Sequence, residues 1–159
     1  MDHIERLRGA PVEERVRAYN EGVRALARLV ADVLDAPCLA PQLVRASELE
    51  ANDYNPNRVA PPEMDLLEQS IRCDGVTMPV VVYPDGDRRV VVDGFHRRRV
   101  ITERLGREYV PCAEIDRSRG DRMASTVRHN RARGKHQVDL MGEIVRGLMA
   151  EGWSDERIA

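Results

Sequence analysis

The sequence predicts an α+β fold on three observations. Apolar residues recur at helical spacing in several separated stretches, two β-branched runs flank a turn, and the helical and extended patterns alternate along one chain of 159 residues. That length suits one domain with an arm and excludes two large domains.

From Pro11 to Leu34 the residues Val16, Tyr19, Val23, Leu26, Val30 and Val33 alternate spacings of three and four, a heptad seam on one helix. Pro11 suits its first turn and Pro37 lies just past its end. The seam fits two partners equally, the arm's own domain or a second copy in a homodimer. Residues 1–40 therefore read as an N-terminal helical arm. Asp53-Tyr54-Asn55-Pro56-Asn57 is dense in turn formers and reads as an ordered loop. After Pro61-Pro62, Met64, Leu67 and Ile71 line a short helix that runs to Asp74-Gly75.

Pro79 to Tyr83 predicts a strand, Pro84-Asp85-Gly86-Asp87 a turn, and Arg88 to Val92 the second strand of a hairpin. Gly94 to Leu105 returns to helix, with Val100, Ile101 and Leu105 facing inward and Gly106 as its stop. Tyr109 to Ile115 is another short strand. Helices follow near Ser118 to His129 and Lys135 to Glu151, the second with an apolar stripe of Met141, Ile144, Val145 and Leu148. Gly152 ends that helix, and Ser154 with the acids after it suits the start of another. Barely one turn then remains, so the natural chain is expected to continue into a helical domain, the alternative being a frayed natural end.

Charge is uneven. The 25 basic and 27 acidic residues leave a net −2 and a pI near 6.1, which by itself gives no pull toward nucleic acid or lipid. Between Gly94 and Lys135, however, 12 basic residues face 5 acidic ones. This island suits a polyanion, and equally a set of solvated helix faces. The apolar stretch Val76 to Tyr83 is far shorter than the ~20 residues that cross a bilayer, and the acidic start lacks a signal-peptide pattern. A cytoplasmic protein with no membrane partner is expected. Cys38, Cys73 and Cys112 stand alone, with no C-x-x-C pair, against both a disulfide framework and a zinc site.

The informative segment is Val90-Val91-Val92-Asp93-Gly94-Phe95-His96-Arg97-Arg98-Arg99. A strand delivers the chain to a glycine that opens a helix, whose first-turn N–H groups and dipole favour an anion. His96 and the arginines add donors suited to phosphate oxygens. The same pattern also occurs as plain packing with a wet arginine face. No G-x-x-x-x-G-K-[ST] or G-x-G-x-x-G is present, so neither common phosphate loop supplies the site. Asp93 beside phosphate is repulsive unless it caps the helix, binds Mg²⁺ or accepts a proton from an attacking hydroxyl.

Asn55-Pro56-Asn57, the stretch Ser70-Ile71-Arg72-Cys73-Asp74-Gly75-Val76-Thr77-Met78-Pro79-Val80, the turn at Asp93 to Arg99, and Leu105-Gly106 before Val110-Pro111 together resemble the N-terminal domain of the ParB/sulfiredoxin superfamily. The likeness runs from about Leu43 to Ala159. Within it, Asn52 to Asn57, Val92 to Arg97 and Arg122 to Gln137 look most like the IbrB-like branch, co-activators of prophage gene expression. The resemblance implies a small mixed sheet packed with helices over residues 41–117, and a helical region at 118–159 leading into a helix-turn-helix.

The resemblance also implies a ligand. The partition proteins of this superfamily hold a nucleoside triphosphate on a Gly-Glu-Arg-Arg-x-Arg box, which Gly94, Arg97 and Arg99 match and from which Phe95 and His96 depart. The implied nucleotide-binding residues are Gly75, Thr77, Pro79, Gly94, Phe95, His96, Arg97, Arg98 and Arg99, with ATP or CTP as ligand. Where those proteins hold Mg²⁺ with a Glu-Asn pair, this chain has His129-Asn130, which leaves Asn130 as the implied metal ligand. Sulfiredoxins place a nucleophilic Cys where Phe95 stands, so reductase chemistry is excluded. Free-serine kinases carry Asp-Gly-His-His-Arg, one residue different from Asp93-Gly94-Phe95-His96-Arg97, which implies a catalytic role for Asp93. Glu48, Glu50 and Glu63 are available as a further carboxylate, and no local motif selects one.

Three functions follow for test. The first is a nucleotide-dependent switch in a DNA-binding regulator, with DNA bound through a C-terminal helix-turn-helix. The second is a small-molecule kinase acting on a free amino acid with ATP or ADP, and the third an interaction module with a degenerate pocket.

Overall fold

The computed structural model of the chain describes residues 3–51, 61–116, 121, 145–150 and 152–154. Its valine-rich segments build the sheet. β-Branched side chains suit a pleated, half-buried surface, and Val80–Asp85 (β3) and Arg88–Asp93 (β4) form the expected antiparallel hairpin. The turn is tighter than the sequence predicts. Pro84 and Asp85 pair with Arg89 and Arg88, so only Gly86 and Asp87 connect the strands. Gly86 has φ +58°, the left-handed first position that primed hairpin turns require.

Two short strands complete the sheet and are absent from the sequence reading: Gln42–Arg45 (β1) and Leu49–Ala51 (β2). With Tyr109–Glu114 (β5), the spatial order is β1-β5-β3-β4-β2. β1 and β5 run antiparallel, whereas β3 pairs parallel with β5 and β2 parallel with β4, giving a mixed sheet. Val44, Val80, Val82, Val91, Val110 and Cys112 cover one face. Met64 and Ile71 of helix α3 (Pro61–Asp74) join Val100 and Ile101 in closing that core, with Leu67, Phe95 and Leu105 packed at its margin.

The helix expected from Gly94 to Leu105 is two pieces. Phe95–Arg99 (α4) is α-helical, and Val100–Arg104 continues as a π-helical turn, closed by the Leu105 N–H donating to the Val100 carbonyl at 2.9 Å. Thr102 Oγ1 donates back to the Arg98 carbonyl at 3.0 Å, a bond of the kind that bends helices.

The arm also differs from its sequence pattern. His3–Arg8 (α1) is followed by Val12–Leu29 (α2), which stops at Leu29 and gives way to turns before Leu34. Val16 and Val23 are half-buried together with Asn20 and Ala27, on the face nearest β1, while Tyr19, Leu26, Val30 and Val33 remain exposed. The heptad seam therefore splits between two faces. Asn20 docks the arm: its Nδ2 donates to the Leu43 carbonyl at 3.0 Å, and the Leu43 N–H donates to its Oδ1 at 2.8 Å.

The loop at Asp53 to Asn57, the helix near Ser118 to His129 apart from Asp121, Asn130 and the helix start after Ser154 lie outside the described residues. Of the helix expected at Lys135 to Glu151, residues 145–150 are described and helical, with Leu148 buried. Gly152 ends it at φ +82°, its N–H donating to the Met149 carbonyl and that of Trp153 to the Leu148 carbonyl, a Schellman closure. Among the described residues no helix is long and apolar enough to cross a membrane.

Candidate functional site

A β-bulge aims the first residue of the site. Val82 pairs with Val91 but Val81 pairs with Asp93, so Val92 is an extra residue in β4. Val91, Val92 and Asp93 are consequently all buried, where a regular strand would alternate. The bulge places the Asp93 carboxylate beside Val81, in a cleft of about 510 Å³. Pro37, Pro79, Val81, Ala113 and Ile115 give the cleft apolar walls, and Thr77, Asp93, Arg97 and the exposed Cys38 bring polar groups. Small-molecule sites are built this way, mostly apolar with a few placed polar groups.

Asp93 and Arg97 form an ion pair one helical turn apart. An Arg97 terminal nitrogen lies 3.1 Å from the carboxylate, and the two side chains are only 13% and 8% exposed. The other terminal nitrogen donates to the Met78 carbonyl at 2.9 Å and to the Pro79 carbonyl at 3.1 Å. Arg97 thus ties the start of α4 to the segment that enters β3. Gly94, between the two partners, is the N-cap of α4 at φ +89°, and a Cβ built on it would lie 2.9 Å from the Arg97 guanidinium. Backbone sign and space both call for glycine.

The remaining expected residues spread over other surfaces. Arg98 turns to β2, where a terminal nitrogen donates to the Leu49 carbonyl at 3.2 Å. Arg99 is exposed and pairs with Glu103 at 2.9 Å. Phe95 packs against the core and meets the His96 ring edge-on, with centroids 5.4 Å apart. Gly75, at φ +77°, caps α3 by donating its N–H to the Ile71 carbonyl. Of the nucleotide-binding set, Thr77, Pro79 and Arg97 therefore share the cleft with Asp93; Gly94 underlies it.

Sequence reasoning missed the opposite wall. Pro37 and Cys38 come from the segment after α2, and Ala113 and Ile115 from the end of β5, none of them in a local motif. The register that brings Val81 of β3 opposite Ala113 of β5 sets the second pair at the cleft. Glu48 is drawn elsewhere, into an ion pair with Arg89, which also holds Glu114. Glu50 pairs with Arg88 across β2 and β4.

A profile of the ParB N-terminal domain matches residues 34–128. The chain belongs to the ParB N-terminal domain family. A second profile, the IbrB-like C-terminal HTH domain, matches residues 136–159. The uncharacterized protein YbdM of Escherichia coli K12 is 42% identical over 159 residues, covering 96% of this chain and 75% of its own length. The C-terminally truncated ParB of Caulobacter crescentus complexed with CTP-gamma-S is 23% identical with a TM-score of 0.53, over 75% of this chain and 68% of that one. The same protein complexed to the centromeric parS site superposes with a TM-score of 0.54 at 20% identity, over 74% and 62% of the two chains. The mixed sheet with its flanking helices is thus a ParB-type fold.

Proposed function

We propose that this ParB-family chain is the nucleotide-binding part of a cytoplasmic DNA-binding regulator, with a nucleoside triphosphate, ATP or CTP, as ligand. What carries the reading is the gathering of Thr77, Pro79, Asp93 and Arg97 around one cleft of about 510 Å³. These residues come from two separate sequence motifs, and a fold alone does not assign a ligand. The nucleotide bound by the Caulobacter ParB and the HTH profile at residues 136–159 support the nucleotide and DNA parts respectively.

The phosphates compete with Asp93 for Arg97. Here the guanidinium bonds to one carboxylate and two carbonyls. A polyphosphate offers more charge and more acceptor oxygens, so Arg97 turns toward it, and the Thr77 hydroxyl adds a donor at the same cleft. Asp93 then stands beside phosphate with the Arg97 guanidinium turned from it. Mg²⁺ carried by a nucleotide takes one or two protein carboxylates along with the phosphates, and Asp93 fits that demand. Among the described residues no cluster of three or more His, Cys, Asp or Glu side chains could hold a metal alone. Asn130 remains a proposed second ligand.

The position of Asp93 also favours a second reading, phosphoryl transfer to a small hydroxyl acceptor such as a free amino acid. Asp93 accepts the hydroxyl proton, the acceptor oxygen bonds to the terminal phosphorus, and the nucleoside diphosphate leaves. Incubation with labelled ATP or CTP and an amino-acid panel separates the two. Binding with little turnover supports the regulator, and acceptor-dependent transfer supports the kinase. If no nucleotide at millimolar concentration raises the melting temperature, both fail.

A further inference from the structure

A second cleft, of about 260 Å³, lies between the arm helix and the sheet and shares no lining residue with the nucleotide cleft. At its floor is Gln42, which opens β1 on the buried face beside Val44 and opposite Cys112. Gln42 is only 2% exposed. Its Nε2 donates to the Ala40 carbonyl at 3.1 Å, which fixes the amide, since the flipped form would set oxygen against oxygen. Among the described residues the buried Oε1 has no hydrogen-bond partner. Ala40 is off the cleft wall and Gln42 is on it, so the oxygen is the end of the amide turned toward the cleft. An unpaired buried acceptor destabilises a fold, and an apolar side chain of the same length would fill this core position without that cost.

Two contacts fix which arm residues stand beside that oxygen. Glu13 pairs with Arg45 and Asn20 with Leu43, so α2 runs antiparallel to β1. The next helical turn, about 5.4 Å further on, brings Arg24 alongside Gln42. Glu21 lies on the same wall. Among the described residues neither Glu21 nor Arg24 makes an ion pair or a side-chain hydrogen bond, with each other or with any other group. Arg89 and Arg45 are already held by Glu48 and Glu13. Arg17, also unpaired, stands about 10 Å back along the axis from Arg24, toward Arg45. Around Gln42 the cleft therefore offers an open carbonyl oxygen, a carboxylate and a guanidinium.

We propose that this cleft binds a free α-amino acid. Its ammonium donates to Gln42 Oε1 with Glu21 as countercharge, and its carboxylate accepts from Arg24. A ligand of one charge would leave Glu21 or Arg24 without a match, whereas a zwitterion meets both. A buried water would satisfy the Gln42 oxygen but would leave both charged groups unused. Size agrees with a small ligand, because 260 Å³ falls below the roughly 300 Å³ at which pockets for drug-sized molecules begin. With α2 as one wall and β1 as the other, the bound amino acid bridges the arm to the sheet.

The test is the melting temperature of the whole chain with each standard amino acid at millimolar concentration, beside propionate and ethylamine, which each keep one charge of alanine. At least one amino acid is expected to raise it, and neither one-charge compound. By calorimetric titration the affinity for that amino acid should fall about tenfold or more in Gln42→Met, which keeps the length and removes the acceptor. Arg24→Ala, at an exposed position where folding is not at stake, should cost a similar factor. No response to any amino acid, an equal response to propionate or ethylamine, or an affinity that both variants leave unchanged overturns the proposal. A response that Asp93→Asn abolishes and Gln42→Met spares belongs to the nucleotide cleft and overturns it too.

Discussion

The carboxamide of Asn20 satisfies both main-chain groups that Leu43 presents at the open edge of the sheet, accepting from its N–H at 2.8 Å and donating to its carbonyl at 3.0 Å. Among the described residues β1 has β5 on one side and no strand on the other. An unpaired edge is a template for unwanted pairing, and one side chain here closes it while fixing the arm to the domain. Asn20→Asp keeps the acceptor but sets a carboxylate against the Leu43 carbonyl. Asn20→Ala leaves both groups to water. Each is expected to destabilise by about 1–3 kcal/mol, with Asp no better than Ala despite its shape, measured by urea unfolding.

Gly94→Ala tests the turn. Its φ of +89° disfavours any L side chain, and the new methyl group would displace the Arg97 guanidinium. The strain alone costs about 1–3 kcal/mol. Arg97→Ala together with Gly94→Ala removes the obstruction but leaves the backbone cost. The two changes should therefore be less destabilising in combination than the sum of each alone, a coupling read from a double-mutant cycle of unfolding free energies. Strict additivity would show that Arg97 does not occupy that space in solution.

Strong local patterns made much of the fold legible. The β3–β4 hairpin, α3 and β5 follow from β-branched runs, helical spacing and Gly stops. β1 and β2 were not legible because four and three residues are too few for a period, and they are strands only through their pairing with β5 and β4. The heptad spacing on α2 reported apolar positions correctly but could not say that Asn20, a polar residue beside the seam, makes the docking contact. At the site, the strand-to-helix turn at Asp93-Gly94 was legible. The bulge at Val92, which decides where Asp93 points, and the division of labour among Arg97, Arg98 and Arg99 depend on distant partners that one sequence does not display.

Cys112 supplies a prediction for pH. The thiol is buried between β1 and β3, and burial, with a smaller contribution from Glu114, pushes its pKa up to about 12. Unfolding returns it to about 8.5, so above that pH the unfolded chain loses a proton that the folded chain keeps. Stability from this group is full below about pH 8.5 and is lost as pH rises toward 12. Cys112→Ala should therefore be less stable at neutral pH through the lost packing, yet show a shallower alkaline decline between pH 9 and 11. Thiol titration gives the companion result. Cys38 and Cys73 react in the folded protein, while Cys112 reacts only after denaturant is added.

The three arginines of α4 should separate in nucleotide binding. Arg97 lines the cleft, Arg98 holds the Leu49 carbonyl, and Arg99 pairs with Glu103 in solvent. A charged hydrogen bond to phosphate is worth about 1.5–3 kcal/mol, so Arg97→Ala should weaken nucleotide about 10- to 150-fold by calorimetric titration. Arg99→Ala should change it less than threefold, an exposed pair having little to give. Because Asp93 competes with phosphate for Arg97, Asp93→Asn should bind metal-free nucleotide more tightly than the native chain, while gaining less than the native chain from added Mg²⁺. Equal affinities for Arg97→Ala and the native chain would remove the arginine from the site, and with it the assignment of this cleft to phosphate.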